Sequence, residues 1–486
     1  MAVGGRHCRG HNLRRLIPNG GHEAPRRDSR LPVGRAGAGL GQDCPKSPCA
    51  GLGALHGGLF WRFSGAAFHH RSQLCGAGNR RHLRGRNTSR PPVAQRADQR
   101  EALGRSAAGG VRRHLDCPVN WLLLVPVLAA AAYQLLALAG AIRHLLQEEP
   151  PAGEPPPVSI LKPARGLDPH FRQAALTHIN QDYPDFEVLF GAEGPEDPAL
   201  AEARSLMAEA PPGRVRVFSG AAPAANRKVG VLIELSKHAR HPLLLVTDSD
   251  VRVPPGYLRR IVAPLADPHV GLVTCLYGGL SDHWPGRWEA LGLATDFAVS
   301  VLAARLLGVR DIGLGAALLV RAEDLKAMGG FEALADYIAD DLQLAVRIAG
   351  LGRDVVLAKT AVETWFSGES WREVWRHQIR WARTIRVSKP RGYLGLLLSN
   401  GSFWSLAAAL GGLAWPAAAL LALRMAAGLL VGGGMLRSRD VWRYFYLIPL
   451  RDLWSVAVWA VGLFGDTVEW RGRRLRLTPE GKIAPY

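Results

Sequence analysis

Hydrophobic positions along this chain fall into three regimes, and each predicts a different kind of structure. From 119 to 142 the sequence is a run of 24 uncharged, mostly apolar residues. As a helix rising about 1.5 Å per residue, it is long enough to cross a bilayer core of about 30 Å. Between 158 and 388, short apolar stretches of strand length (158–161, 186–190, 215–218, 243–246) alternate with stretches of helical period (169–180, 198–210, 227–238). Alternation of this kind predicts an α/β domain with a mostly parallel sheet covered on both faces. Beyond 392 the apolar runs return: 392–423 is uncharged and continues past Arg424 to Leu436, while 444–465 is apolar around a central Arg451-Asp452 pair.

The flanks of the runs set a topology. Arg143 and His144 follow the first run at once, ahead of a linker rich in proline (Pro150, Pro151, Pro155, Pro156, Pro157). Residues 119–146 therefore read as an N-terminal anchor whose positive end, with the domain over 158–388, faces the cytoplasm. The region 392–436 is too long for one helix and has basic residues on both sides (Arg386, Lys389, Arg391; Arg437, Arg439, Arg443), so it predicts a hairpin turning near Trp415-Pro416. A charged pair near the bilayer centre is costly, so 444–486 is expected to lie at the interface or re-enter and to end in a basic tail. Together these segments predict a multi-pass protein of the inner (cytoplasmic) membrane.

Charge separates the first 118 residues from the rest. They hold 21 Lys+Arg against 6 Asp+Glu, and thus +15 of the chain's net +19. Arg, Gly and His are interspersed there without helical or strand period. A basic nucleic-acid-binding arm on a membrane protein is the non-enzyme reading of this segment, but it has no lysine clusters, few aromatics and no repeated spacing. Its composition predicts an extension that does not fold, or the product of an upstream start on a GC-rich gene, and no nucleic-acid partner is expected. Five of the six cysteines fall here without metal-like pair spacing, which argues against a zinc site or disulfide framework. The lone Cys275 in the body fits a reducing compartment.

Within the α/β region four places carry chemistry. Asp248 and Asp250 leave the apolar run Leu-Leu-Leu-Val-Thr, and two carboxylates at i and i+2 can hold a hard divalent cation, Mg²⁺ or Mn²⁺, that a diphosphate also ligates. An isolated Asp-x-Asp is more often a solvated turn; the buried strand ahead of it favours the metal reading. Asp340 and Asp341 open an amphipathic stretch (Leu342, Val346, Ile348). They are either helix N-terminal charge or a pair in which one carboxylate takes a proton from an attacking hydroxyl. The stretch 371–386 reads as a basic helix (Arg376, His377, Arg380, Arg383, Arg386), by composition a membrane-surface element. Arg380 could nonetheless pair with a diphosphate and Trp381 offers a flat face to a sugar. Lys162 and Lys228 are ordinary surface lysines or members of a nucleotide-binding loop, since each stands where such a loop of this sheet would be.

Six segments in order, Ser-Ile-Leu-Lys-Pro (159–163), Gln-Asp-Tyr-Pro (181–184), Glu-Asp-Pro-Ala (196–199), Val-Thr-Asp-Ser-Asp (246–250), Ile-Ala-Asp-Asp (338–341) and Ile-Arg-Trp-Ala-Arg (379–383), resemble the ceramide glucosyltransferases and their bacterial relatives, including the hopanoid-associated glycosyltransferases. The resemblance covers about 119–486. It implies a GT-A fold, inversion at the anomeric carbon, a UDP-sugar donor and a lipid hydroxyl acceptor, ceramide or a hopanoid. By motif match it implies Asp197 near the nucleotide, Asp248 at the metal, Asp341 as the base, and Arg380-Trp381 as the end of a Gln/Arg-x-x-Arg-Trp signature. His377 stands at the first position of that signature with Gln378 beside it, so either side chain is a candidate to meet the donor. Ceramide glucosylation is the leading expectation. N-acetylglucosamine transfer to a hopanoid is the alternative, and a processive polysaccharide synthase would need more spanning helices than this chain offers.

Overall fold

The uninterrupted apolar run forms α1 (Pro118–Leu146), a helix long and apolar enough to cross a membrane. The computed structural model describes residues 118–149 and 153–484. Apart from Pro118, the extension expected over 1–118 lies outside the described residues. The alternating segments then fold as β1 (Val158–Pro163), α2 (Phe171–Ile179), β2 (Phe186–Ala192), α3 (Pro198–Glu209), β3 (Val215–Ser219), α4 (Arg227–His238), β4 (Leu243–Val246), β5 (Val251–Arg252) and α5 (Tyr257–Val262). After them come β6 (Val270–Leu280), α6 (Trp284–Gly292), which runs through a π-helical turn (Leu293–Phe297) into α7 (Ala298–Leu306), then β7 (Leu318–Arg321), α8 (Ala322–Ala327), α9 (Asp340–Gly350) and β8 (Asp354–Trp365).

The eight strands form one sheet in the order β3-β2-β1-β4-β7-β6-β8-β5. Pairings among β3, β2, β1 and β4 are all parallel, as the alternation predicts. Beyond β4 the sheet is mixed: β7 lies antiparallel between β4 and β6, and β5 antiparallel on β8. The reason is the excursion through α6 and α7, which leaves the sheet and returns at the same end, so β7 must run back against β6. Both faces are covered. Ile160, Val188 and Phe190 point into one core with Phe171, Tyr257 and Leu258, while Leu161, Leu189 and Val246 point into another with Val229, Leu232 and Ile348. Burial on both faces is why these strands read as continuous apolar runs.

The C-terminal third packs helices against α1 and against α6, α7 and the π-helical turn between them. α10 (Trp371–Ser388) leads into α11 (Pro390–Ser399) and α12 (Gly401–Leu410), which meet at a 54° bend. α13 (Ala414–Gly428) continues through a π-helical stretch to Met435, and that stretch from Ala414 is the second helix long and apolar enough to cross a membrane. The chain reverses at 411–413, where Gly412 takes a φ of 81°. Trp415-Pro416, expected as the turn, lies instead in the first turn of α13, where a proline's missing N–H costs nothing. α14 (Arg439–Tyr444) and α15 (Ile448–Gly462) follow, and the basic tail folds as an antiparallel sheet, β9 (Thr467–Trp470), β10 (Arg473–Leu477) and β11 (Ile483–Ala484). At Gly140 α1 passes so close to α7 that a Cβ would sit 2.5 Å from the Leu302 carbonyl oxygen.

The two charges that set 444–465 apart are satisfied inside the protein. Asp452 accepts from Arg424 Nη2 (2.6 Å), Arg424 Nε (2.8 Å) and Ser402 Oγ (2.6 Å). Arg451 donates to the Trp288 carbonyl (3.2 Å) and to Ser455 Oγ (2.7 Å). The cost expected for a charged pair in an apolar helix is thus met by partners from α13, α12 and α6.

Candidate active site

β4 ends under a cavity of about 900 Å³ and delivers the triplet Asp248-Ser249-Asp250 to it at the carboxyl end of the parallel half-sheet. Lys228, at the start of α4, places Nζ 2.8 Å from Asp248 Oδ1 and 3.4 Å from Asp340 Oδ2, so one ammonium bridges the two acidic motifs. Asn226 caps α4 through Val229 N and donates to the Tyr337 carbonyl (2.9 Å), which fixes that helix start against the loop ahead of Asp340. Asp250 Oδ2 accepts from Thr364 Oγ1 (2.8 Å), and Ser249 Oγ donates to Asp168 Oδ2 (2.5 Å).

Asp341 opens into the same cavity at the first turn of α9. Its Oδ1 accepts from Leu342 N (2.7 Å), and two glycines let the neighbouring loop close on it: a Cβ on Gly313 would lie 2.2 Å from the Asp341 carbonyl oxygen. Burial first, and then the charge of Asp340, raise the Asp341 carboxyl to about 6, against the opposing pull of Lys228. A carboxyl near 6 is suited to receiving a proton at neutral pH.

α10 supplies the cationic wall. Arg380 stands 5.6 Å over the Trp470 ring, and burial lowers its guanidinium to about 10 while Glu289 opposes. Trp381 packs on Phe297 and on His377, whose Nδ1 lies 2.7 Å from Glu289 Oε1. His377, Arg380 and Trp381 all line the cavity.

Three of the expected contact residues stand elsewhere. Gln378 turns away from the cavity and accepts from Trp454 Nε1 (2.7 Å) on α15. Lys162 is fully buried beneath the triplet, donating to Thr247 Oγ1 (3.0 Å) and the Asp248 carbonyl (2.8 Å); burial lowers it to about 7. It props the loop and does not reach the cavity. Asp197 is the cap of α3, accepting from Ala199 N (2.9 Å) and from Gly166 N (2.9 Å), and so shapes the loop after β1 from outside the cavity. Nor does the basic face of α10 serve only headgroups. Arg376 pairs with Glu469 (3.2 Å), Arg383 donates to the Phe464 carbonyl (3.0 Å) and Arg386 to that of Gly465, holding the C-terminal sheet in place.

Glu289, Asp168 and Arg471 belong to the cavity and carried no motif. Glu289 is one carboxylate in an apolar stretch, Asp168 a single acid ahead of Pro169, and Arg471 one arginine of a basic tail. Nothing local marks them.

The acidic triplet fits a divalent cation that has further ligands of its own. Burial first, then repulsion from Asp248 and Asp168, raise the Asp250 carboxyl to about 6, a repulsion that a cation would relieve. Among the described residues no group of three His, Cys, Asp or Glu side chains is clustered to hold an ion by itself. Asp248 and Asp250 therefore suit a cation whose remaining ligands come from a diphosphate or from water.

A half-parallel sheet with an acidic triplet at its carboxyl edge, a second acidic pair across the cavity and a cationic helix beside them defines a GT-A-type glycosyltransferase. The chain belongs to glycosyl transferase family 21, whose profile matches residues 120–483. It is 26% identical over 266 residues to ceramide glucosyltransferase 1 of Caenorhabditis elegans, covering 53% of this chain and 55% of that protein. To the ceramide glucosyltransferase of Komagataella phaffii it is 26% identical over 178 residues, 36% and 34% of the two chains. The chain thus spans about half of the first relative's length and a third of the second's. Among solved structures it is similar to the mannosyltransferase PcManGT from Pyrobaculum calidifontis in complex with GDP-Man and Mn²⁺, with a TM-score of 0.46 and 21% identity over 71% of this chain and 99% of that one.

Proposed function

We propose that this glycosyltransferase moves a hexose from a UDP-sugar to a lipid hydroxyl with inversion, and that the lipid is a ceramide. The observation that carries the reading is that Asp341, a carboxyl raised to about 6, opens into the same cavity as the Asp248-Asp250 triplet, with apolar walls from Phe297 in the π-helical turn, Val301 on α7 and Ile312 in the loop after it. α7 packs on α1, so an acceptor's hydroxyl can reach Asp341 while its chains stay with the apolar helices. Asp341 takes the hydroxyl proton as the new C–O bond forms at the anomeric carbon and the bond to the diphosphate breaks on the opposite face. Lys228 and Arg380 line the cavity where charge builds on the leaving group, and a bound divalent cation would add charge compensation there. The activity that names both relatives, ceramide glucosylation, supports the acceptor. The two helices long and apolar enough to cross a membrane support a membrane protein, and the basic residues Arg143 and His144 after the first of them support our reading of a multi-pass inner-membrane protein with this site in the cytoplasm.

The test is lipid mass spectrometry of a ceramide-containing host expressing the full chain. A hexose increment on ceramide is expected; an N-acetylhexosamine increment on a hopanoid would move the assignment to that lipid, and no modified lipid would sink it. Asp248→Ala is expected to lower turnover on the order of 10²-fold, the scale of losing one electrostatic stabiliser of developing charge. Asp250→Ala should cost less, because Thr364 already engages that carboxylate. Undiminished turnover in excess EDTA would remove the cation from the mechanism.

A further inference from the structure

The hairpin of β9 and β10 brings its two-residue turn, Arg471-Gly472, to the cavity wall. Both residues have positive φ, 49° and 75°, the combination that asparagine, aspartate or glycine takes readily and arginine does not. The side chain at that position is therefore kept for something other than the turn. Its guanidinium makes a two-point pair with Asp168, at 2.7 and 3.1 Å, and that carboxylate also accepts from Ser249 in the middle of the acidic triplet. Asp168 is 12% exposed, whereas Arg471 is 44% exposed and uses two of its five N–H donors on the pair. The others are free to meet a ligand in the cavity. The hairpin is no loose tail: Glu469 is held by Arg376, Trp470 lies under Arg380, and Arg383 holds the carbonyl of Phe464 just ahead of β9.

We propose that Arg471 is a donor-binding residue whose guanidinium takes the diphosphate of the nucleotide sugar, so that the C-terminal hairpin forms one wall of the donor site. This rests on the reading of the cavity as a nucleotide-sugar site. A diphosphate bound beside Asp248 and Asp250 brings negative charge up to carboxylates, and it needs cationic groups on its open side as well as below. Lys228, shared between Asp248 and Asp340, compensates only part of that charge. Arg471 is planar, partly free and pre-positioned, and so suited to phosphate oxygens. The competing role is a strut that only orients Asp168. The two roles differ in sign: a strut and its partner fail together, whereas a donor ligand is released when its partner is neutralised.

Titrating the full-length protein in detergent with UDP and Mn²⁺ separates them. Arg471→Ala is expected to weaken UDP at least tenfold and to raise the donor KM by a similar factor with the acceptor KM unchanged. Arg471→Lys, which keeps charge but loses two-point geometry, should fall between, and it serves as the test if the alanine variant does not fold. Asp168→Asn keeps an acceptor for Ser249 and frees the guanidinium, so UDP affinity should hold or rise. Equal weakening by Arg471→Ala and Asp168→Asn, or wild-type affinity in both Arg471 variants, would overturn the assignment. Wild-type protein that binds no UDP would instead sink the donor reading on which it rests.

Discussion

Asp341→Asn is expected to lower glycosyl transfer by about 10²–10⁴, the range that general base catalysis supplies, with UDP-sugar affinity near that of the wild type. The amide keeps the shape of the carboxylate and can still accept from Leu342 N, but it cannot take up the acceptor's proton. Asp340→Asn should be milder. Asp340 is 9% exposed and placed against Lys228 and Asn226, so its main work on this site is to raise its neighbour. The pH dependence follows with a definite sign. The base works ionised, burial and Asp340 raise it to about 6, and turnover should therefore climb as pH rises through about 6 and level above it. Asp340→Asn removes a raising charge and should shift that limb to lower pH; Asp341→Asn should abolish it. Rate–pH profiles and donor titrations of both variants decide. If Asp340→Asn is the dead enzyme and Asp341→Asn is not, the base is the other carboxylate. If both lose donor affinity, the pair belongs to the nucleotide.

What the sequence showed and what it hid divide along physical lines. Strands buried on both faces and helices with periodic apolar positions announce themselves locally, and all four strands and three helices expected over 158–246 are present. Asp248, Asp250, Asp341 and Lys228 share one cavity because each stands at a strand or helix end that the sheet topology gathers together, and His377, Arg380 and Trp381 line it from the middle of α10. Lys162, Asp197 and Gln378 do not line that cavity, because a motif gives an order of residues without giving the direction of a side chain. Gln378 is one residue from His377, and on a helix that step of about 100° carries it to another face. The mixed edge of the sheet and the C-terminal hairpin depend on contacts between segments far apart in the chain, as where Leu245 pairs with Leu319 and Arg376 with Glu469, which no local period records. Arg471 meets Asp168 across 303 positions.

The pairing of Arg424 with Asp452 carries the largest expected effect on stability. Their side chains are 2% and 1% exposed, one on an apolar helix fit to span a membrane and the other on α15. Asp452→Ala leaves Arg424 buried with its two-point partner gone, and Arg424 Nη1 has no partner to begin with. Breaking such a pair from one side costs about 3–5 kcal/mol, because an uncompensated charge stays buried. Arg424→Met alone should cost a similar amount by stranding Asp452, to which Ser402 alone would still donate. Replacing both, Arg424→Met with Asp452→Leu, removes the two charges together and should recover most of the loss, since an apolar pair of similar volume often matches a buried ion pair. Thermal unfolding of the purified protein in detergent reads all three. Single variants that melt with the wild type would mean that lipid, detergent or water already satisfies these charges. A double variant no better than the singles would show that α13 and α15 need the ion pair to find their register, and not merely to avoid a stranded charge.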